Sequence, residues 1–301
     1  MTEFLQQLIN GLAFGSILAL IALGYTMVYG ILRFINFAHG DVFMIGAFAG
    51  LYLTPKVATF LPTPSIWAGL VVMAGAMAIC AVLGILIERF AYRPLRRSPK
   101  LAVLITAIGI SLFLEYAGQK FFGAAPRAFP KLIPSAHITQ ISGLSIDSNQ
   151  IVVLAVTILL LIVLRFIVLK TKIGMAMRAL SFNPEAAALM GVNTDVVISF
   201  TFGLGSALAA GGGILFAVLY PAVDPLMGVL PGLKAFCAAV LGGIGNLPGA
   251  ALGGLIIGIV ETFVAGSKYS TWRDAIAFAI LILILLVKPS GLLGKKEIEK
   301  V

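Results

Sequence analysis

The chain has 301 residues, 60% hydrophobic and 11% charged, with a formal net charge of +9. An average soluble domain carries roughly 25% charged residues, so a water-soluble globule of this length could not hide the apolar surface, whereas bilayer hydrocarbon can. The positive charge gathers in short loops between apolar runs, with no basic face interleaved with aromatics, which argues against a nucleic-acid partner and for membrane lipid as the surroundings.

The first apolar run covers residues 5–30. No Lys or Arg precedes it, so a cleavable leader with a basic start is not expected and the run reads as a retained first helix. The next, 31–53, is interrupted by Asn36-Phe37-Ala38-His39-Gly40-Asp41. Runs 66–87 and 101–121 follow, with Arg89, Arg93, Arg96, Arg97 and Lys100 between them. The stretch 122–150 holds only Arg127 and Lys131 among Pro126, Pro130 and Pro134. After a run at 151–169, the second basic cluster is Arg165, Lys170, Lys172 and Arg178. Run 196–220 leads to a second interrupted region, 228–266, broken by Gly242-Gly243-Ile244-Gly245-Asn246-Leu247-Pro248-Gly249. The last run, 273–288, is followed by Lys288, Lys295, Lys296 and Lys300.

Crossing the hydrocarbon takes about 20 mostly apolar residues. Gly- and Pro-rich interruptions free backbone groups that lipid cannot satisfy, and they are tolerated where protein or water surrounds them. The expected fold is an all-α polytopic membrane protein. It is a bundle of about 7–9 transmembrane segments with broken or re-entrant helices, forming a single transmembrane domain over 1–301. Whether 228–266 makes two spans or a re-entrant pair is open. The basic loops place 88–100, 170–195 and the tail in the cytoplasm and 122–150 outside, giving an external N-terminus and an internal C-terminus. Glycine and alanine crowd 203–213 and 249–258, which suits close helix packing. Both interruptions carry an Asn-x-x-x-Gly-like string ahead of a Gly/Ala-rich helix, a hint of internal symmetry. Cys80 and Cys237 lie in apolar runs without metal-site spacing and read as inert buried thiols.

The 170–195 loop contains a specified short helix. Asn183 is a suitable N-cap and Pro184 fits N1. Glu185 puts negative charge at the positive end of the dipole, and Gly191 supplies a left-handed stop. A helix of about seven residues is marginal unless packed on something. That could be a partner's groove or the underside of its own bundle.

Glu185-Ala186-Ala187, three residues, then Gly191 resembles the EAA-x3-G coupling signature of ABC importer permeases, whose short helix docks on an ATPase subunit. Where the wider signature continues Ile-x-Leu-Pro, this chain has Thr201-Phe202-Gly203-Leu204. Longer strings covering nearly the whole chain resemble the LivH-type permeases of branched-chain amino acid ABC importers. They are Gly24-Tyr25-Thr26-Met27-Val28-Tyr29-Gly30, Ile35-Asn36-Phe37-Ala38-His39-Gly40-Asp41, Ile87-Glu88-Arg89-Phe90-Ala91-Tyr92-Arg93-Pro94, Leu241 through Ala250, and Lys288-Pro289-Ser290-Gly291-Leu292-Leu293-Gly294. The resemblance implies a multi-pass protein of the bacterial inner membrane. It also implies assembly with a paralogous permease subunit, two ATP-binding subunits and a periplasmic solute-binding protein. No cofactor is expected in this chain; ATP-Mg belongs to the partner subunits, and no Walker A string occurs here.

Ionisable and amide groups inside a membrane are costly unless they face the bundle or water. Asn36, His39 and Asp41, with Gly243, Gly245 and Asn246 of the second interruption, are therefore candidates for the translocation path; satisfied structural turns are the alternative. Glu115 and Glu261 are deep carboxylates with no basic partner evident in sequence, and Arg33, Glu88 and Arg89 read as snorkelling from helix ends. A secondary transporter with His39 and Asp41 as an ion relay is the competing function, and a channel comes third. No nucleophile–base pair or metal spacing suggests an enzyme.

Overall fold

A computed structural model describes residues 2–96, 98–134, 137–141 and 144–294. Arg97, Lys295, Lys296 and Lys300 of the basic clusters lie outside the described residues. The elements in order are α1 (Thr2–Leu32), α2 (His39–Val57), α3 (Ile66–Ile87), a π-turn (Glu88–Tyr92), a 3-10 turn (Arg93–Leu95) and α4 (Lys100–Phe122). Then come β1 (Arg127–Ala128), β2 (His137–Ile141), β3 (Leu144–Asp147), α5 (Ser148–Lys170), α6 (Lys172–Phe182), α7 (Pro184–Leu189) and α8 (Thr194–Leu219). The chain continues through β4 (Ala222–Val223), α9 (Val229–Gly242), α10 (Leu247–Ala265), a second 3-10 turn (Ser270–Trp272) and α11 (Arg273–Val287). The architecture is the expected all-α membrane bundle, with seven helices among the described residues long and apolar enough to span.

Helix α1 is the axis. It is buried over most of its length and packs on α8, α9 and α10, with Ile17, Leu18, Leu20 and Ile21 fully enclosed. Its approach to α10 is backbone to backbone: a Cβ added at Gly15 would lie 2.9 Å from Leu255 Cα. Lipid offers no hydrophobic drive between helices, so this close van der Waals contact is what holds the pair. Helices α3, α4, α5 and α11 form the rim and turn apolar side chains outward, as with Phe113, Ile162 and Leu286. On a soluble protein these would be patches in need of a partner; here they face acyl chains.

Contacts among loops sort the connections into two ends. At one end Arg93 and Arg96 of the loop before α4 meet Asp195 at the start of α8. Leu292 and Leu293 after α11 donate backbone N–H groups to Leu241 and Gly242 at 2.8 and 3.0 Å. This is the end that holds the described residues of all three basic clusters. At the far end β1 pairs with β4, and Gln6 Nε2 donates to Ser145 O at 2.9 Å. There too Gln150 Nε2 donates to Asn10 Oδ1 at 2.7 Å.

Two connections leave the regular pattern. Asp41 at the start of α2 bonds to Ser111, midway along α4, so α2 begins near the membrane midplane and runs to the far end. Gly40 abuts Gly228, so α9 also begins at that depth and runs the other way, to the basic end. With 14 residues, α9 is about 21 Å long, short of the roughly 30 Å of hydrocarbon. Residues 33–38 and 220–228 thus enter from opposite ends as non-helical chain, and each leads into a helix that starts at midplane. The two Asn-x-x-x-Gly strings do not occupy equivalent places: Asn36 precedes the start of α2 at midplane, whereas Asn246 caps α10 at the basic end. The interruption at 242–249 is a tight turn at the basic end, packed on Ser290–Gly294.

The 170–195 stretch holds two helices where the sequence reading expected one. Gly174, Met177 and Leu180 lie at helical spacing and are buried against the bundle, which makes α6. Within 122–150, a short hairpin and the first turn of α5 replace an open loop. Asp147 N–H donates to Gln150 Oε1 at 3.3 Å in a capping box that starts α5 three residues before the predicted run.

Candidate translocation site and docking helix

Two cavities flank Tyr25. The one at midplane, about 80 Å³, is bounded by Phe37, Asp41, Ser111, Glu115, Val229 and Leu233. The other, a crevice of only about 10 Å³ nearer the basic end, is bounded by Tyr29, Ile35, Phe236, Ala239 and Ile244. Tyr25 belongs to both walls. It meets His39 edge-on with ring centroids 4.7 Å apart and Phe236 at 6.2 Å, and Phe236 meets Phe37 at 6.2 Å. These aromatics make a layer between the two spaces.

The midplane cavity is chemically divided. Asp41 accepts a hydrogen bond from Ser111 Oγ at 2.5 Å, and Glu115 lies one helical turn further along α4. Facing them are apolar side chains of α9 and the interruption. The first turns of α2 and α9 converge here through Gly40, Gly228 and Gly232; a Cβ at Gly40 would lie 2.6 Å from Gly228 O. The positive ends of both helix dipoles therefore meet on one flank, with the N–H groups of His39, Asp41, Val229 and Gly232 already bonded to local carbonyls. Among the sequence-predicted path residues, Asp41 lines this space, while His39 is buried against α1 beside Gly24. Asn36 is buried between the two cavity-lining residues Ile35 and Phe37 and accepts from Tyr92 Oη at 2.7 Å. Gly243, Gly245 and Asn246 lie apart from these three, in the turn between α9 and α10. Asn246 caps α10 by accepting from Gly249 N–H at 3.0 Å, and its amide donates to Leu293 O at 2.7 Å. Only Ile244 of that turn reaches a cavity wall.

Helix α7 has the predicted caps. Asn183 Oδ1 accepts from Ala186 N–H at 3.0 Å, with Pro184 at N1 and Glu185 in the first turn. Gly191 has φ 82°, Val192 N–H reaches Ala187 O at 3.1 Å and Gly191 N–H reaches Ala188 O at 3.0 Å, a Schellman stop. Ala187 is buried toward the bundle, whereas Phe182, Leu189 and Met190 are 90%, 88% and 85% exposed. A helix of six residues with such flanks presents an apolar surface at the basic end.

Two ion-pair systems escaped the sequence reading. Glu261 is not without a base: Lys234 Nζ lies 2.5 Å from Glu261 Oε1 and 2.6 Å from Asp274 Oδ1, tying α9, α10 and α11. The signal was a lone lysine inside an apolar run, which demands a counter-charge. Glu88 does not snorkel. It is fully buried, paired with Arg96, and accepts from Ser199 Oγ at 2.5 Å, whereas its neighbour Arg89 is exposed. The helix-end position hid that burial, because α3 continues into the π-turn and carries Glu88 inward. No group able to hold a metal ion occurs among the described residues.

The family model described as "Branched-chain amino acid transport system / permease component" matches residues 7–285. The chain is 43% identical to the high-affinity branched-chain amino acid transport system permease protein LivH of Escherichia coli strain K12, covering 99% of this chain and 98% of that protein. It is 42% identical to the corresponding permease protein BraD of Pseudomonas aeruginosa, with the same coverage of both. To the probable LivH permease of the archaeon Methanocaldococcus jannaschii it is 29% identical over 95% of this chain and 91% of that one. With the family model matched over nearly the whole chain and relatives above 40% identity aligned end to end, the chain belongs to the permease-component family of branched-chain amino acid transport systems.

Proposed function

We propose that this chain is the membrane-spanning subunit of an ABC importer that carries branched-chain amino acids across the inner membrane. The observation that carries the reading is the divided cavity at midplane. Asp41, Ser111 and Glu115 face an ammonium group, the converging helix starts face a carboxylate, and Phe37, Val229 and Leu233 face an aliphatic side chain. The aromatic layer at Tyr25 separates this space from the second cavity, as alternating access requires.

The basic end is cytoplasmic by its concentration of Arg and Lys. There α7, with Asn183, Pro184, Glu185, Ala186, Ala187 and Gly191, docks on an ATP-binding subunit through the exposed Phe182, Leu189 and Met190. The assembly contains this chain, a paralogous permease, two ATPases and a periplasmic solute-binding protein. Transport is driven by ATP-Mg in the partners, and this chain serves as a conduit. The test is purification of the tagged chain in detergent, with co-purifying subunits identified by mass and leucine uptake measured in liposomes. Recovery with two ATPases and ATP-dependent uptake supports the reading. Recovery alone with ion-driven uptake overturns it in favour of a secondary transporter working through Asp41.

A further inference from the structure

The first turns of α8 present Asp195, Ser199 and Phe202 at i, i+4 and i+7, one stripe of the helix. Every member of the stripe touches the segment that follows α3. Asp195 pairs with Arg93 and, at 2.5 Å, with Arg96; Ser199 donates to Glu88 at 2.5 Å; the Phe202 ring lies 5.3 Å from that of Tyr92. Glu88 and Tyr92 are the first and last residues of the π-turn, and both are 0% exposed. On its other side Tyr92 donates its phenol proton to Asn36 Oδ1 and packs on Phe34 with ring centroids 5.0 Å apart. Asn36 in turn sits between Ile35 in one cavity wall and Phe37 in the other.

We propose that this π-turn carries movement of α7 to the two cavities, with Glu88 and Tyr92 as the positioning residues; the proposal rests on reading α7 as the docking helix. Only residues 190–193 join α7 to α8, and Asn193 is already the cap of α8, accepting from Val196 N–H at 3.3 Å. A tilt of α7 therefore reaches Asp195 and Ser199 with little slack. Glu88 is charged and buried, so it cannot be left behind when its partners move without exposing an uncompensated charge to a dry site. The Tyr92 hydroxyl and the Asn36 amide are buried as well, and parting them leaves unsatisfied polar atoms. The π-turn holds its hydrogen bonds one residue wider than the α-helix it continues, which gives the segment a second ladder to slip into. Polar links with no cheap intermediate, joined by an element with two arrangements, are what coupling between distant sites needs.

The experiment uses the full transporter with its ATPases and solute-binding protein in liposomes, measuring leucine uptake and phosphate release from the same vesicles. Tyr92→Phe keeps the ring and removes only the hydroxyl. The expected result is a fall of about three- to tenfold in leucine moved per ATP hydrolysed, the size of one buried hydrogen bond, with the hydrolysis rate unchanged and the thermal midpoint lowered by no more than a few degrees. Asn36→Ala in that background adds little, because both changes remove one bond. An unchanged ratio, a parallel loss of uptake, hydrolysis and thermal midpoint, or additive effects would each overturn the proposal. A separate Glu185→Lys arm reads ATPase retention. Full retention there overturns the docking role of α7, while the ratio measured with Tyr92→Phe still reports on the π-turn by itself.

Discussion

Lys234 Nζ lies 2.5 Å from Glu261 Oε1, joining α9 and α10 inside the bundle, and both side chains are almost fully enclosed. The cavity-lining residues of α9 are on its opposite face, so this pair anchors the back of a half-length helix whose front borders the proposed path. Breaking a buried pair by removing one partner costs about 3–5 kcal/mol, because the remaining charge is left uncompensated. Lys234→Met is therefore expected to lose most of the folded protein, measured as the monodisperse fraction in detergent and its thermal midpoint. Adding Glu261→Gln should restore a large share of both. Equal loss in the single and double variants would show that the lysine acts through packing alone.

Asp41 is the carboxylate set nearest the converging helix starts. Asp41→Asn preserves size and can still accept from Ser111, so the protein should assemble normally. Loss of one charge-assisted contact, about 1.5–3 kcal/mol, corresponds to roughly ten- to a hundredfold in apparent affinity or rate of leucine uptake. Uptake kinetics in liposomes decide this, and wild-type values would remove Asp41 from the path.

Tyr25 is the shared wall of the two cavities. Tyr25→Ala joins them into one space. The expected outcome is substrate leak down a gradient without ATP, seen as efflux from leucine-loaded vesicles that the wild type retains. A tight variant would mean that Phe37 and Phe236 close the layer without it.

Gly243 adopts φ 103°, and a Cβ there would lie 2.5 Å from Gly294 N. Gly243→Ala should cost about 1–3 kcal/mol or more from backbone strain plus displacement of the C-terminal segment. Gly191, with φ 82° but open space around it, offers the comparison: its alanine variant pays for the left-handed backbone alone, about 1–2 kcal/mol. A lower thermal midpoint for Gly243→Ala than for Gly191→Ala is expected.

The spans were legible because hydrocarbon imposes one requirement on every segment, a long apolar helix, and Ile66–Ile87 begins and ends where the apolar run does. The caps of α7 were legible for a local reason: Asn183, Pro184 and Gly191 act within one or two turns of themselves. Helix α6 was missed because its apolar face, Gly174, Met177 and Leu180, is a short stripe in a basic segment and is recognisable only once a surface lies beneath it.

Length, hydropathy and the punctuation of Asn, Pro and Gly by themselves determined the class, the spanning helices and the short helix at 184–189, since each follows from a chain segment meeting lipid or water. Only the tertiary structure decided that Lys234 answers Glu261, that Glu88 is buried under Arg96 and Ser199, and that α2 and α9 start together at midplane. Those are pairings between residues far apart in sequence, as with the 27 positions between Lys234 and Glu261. In a low-dielectric interior a polar group is satisfied by whichever helix packs against it, and local sequence carries no record of that neighbour.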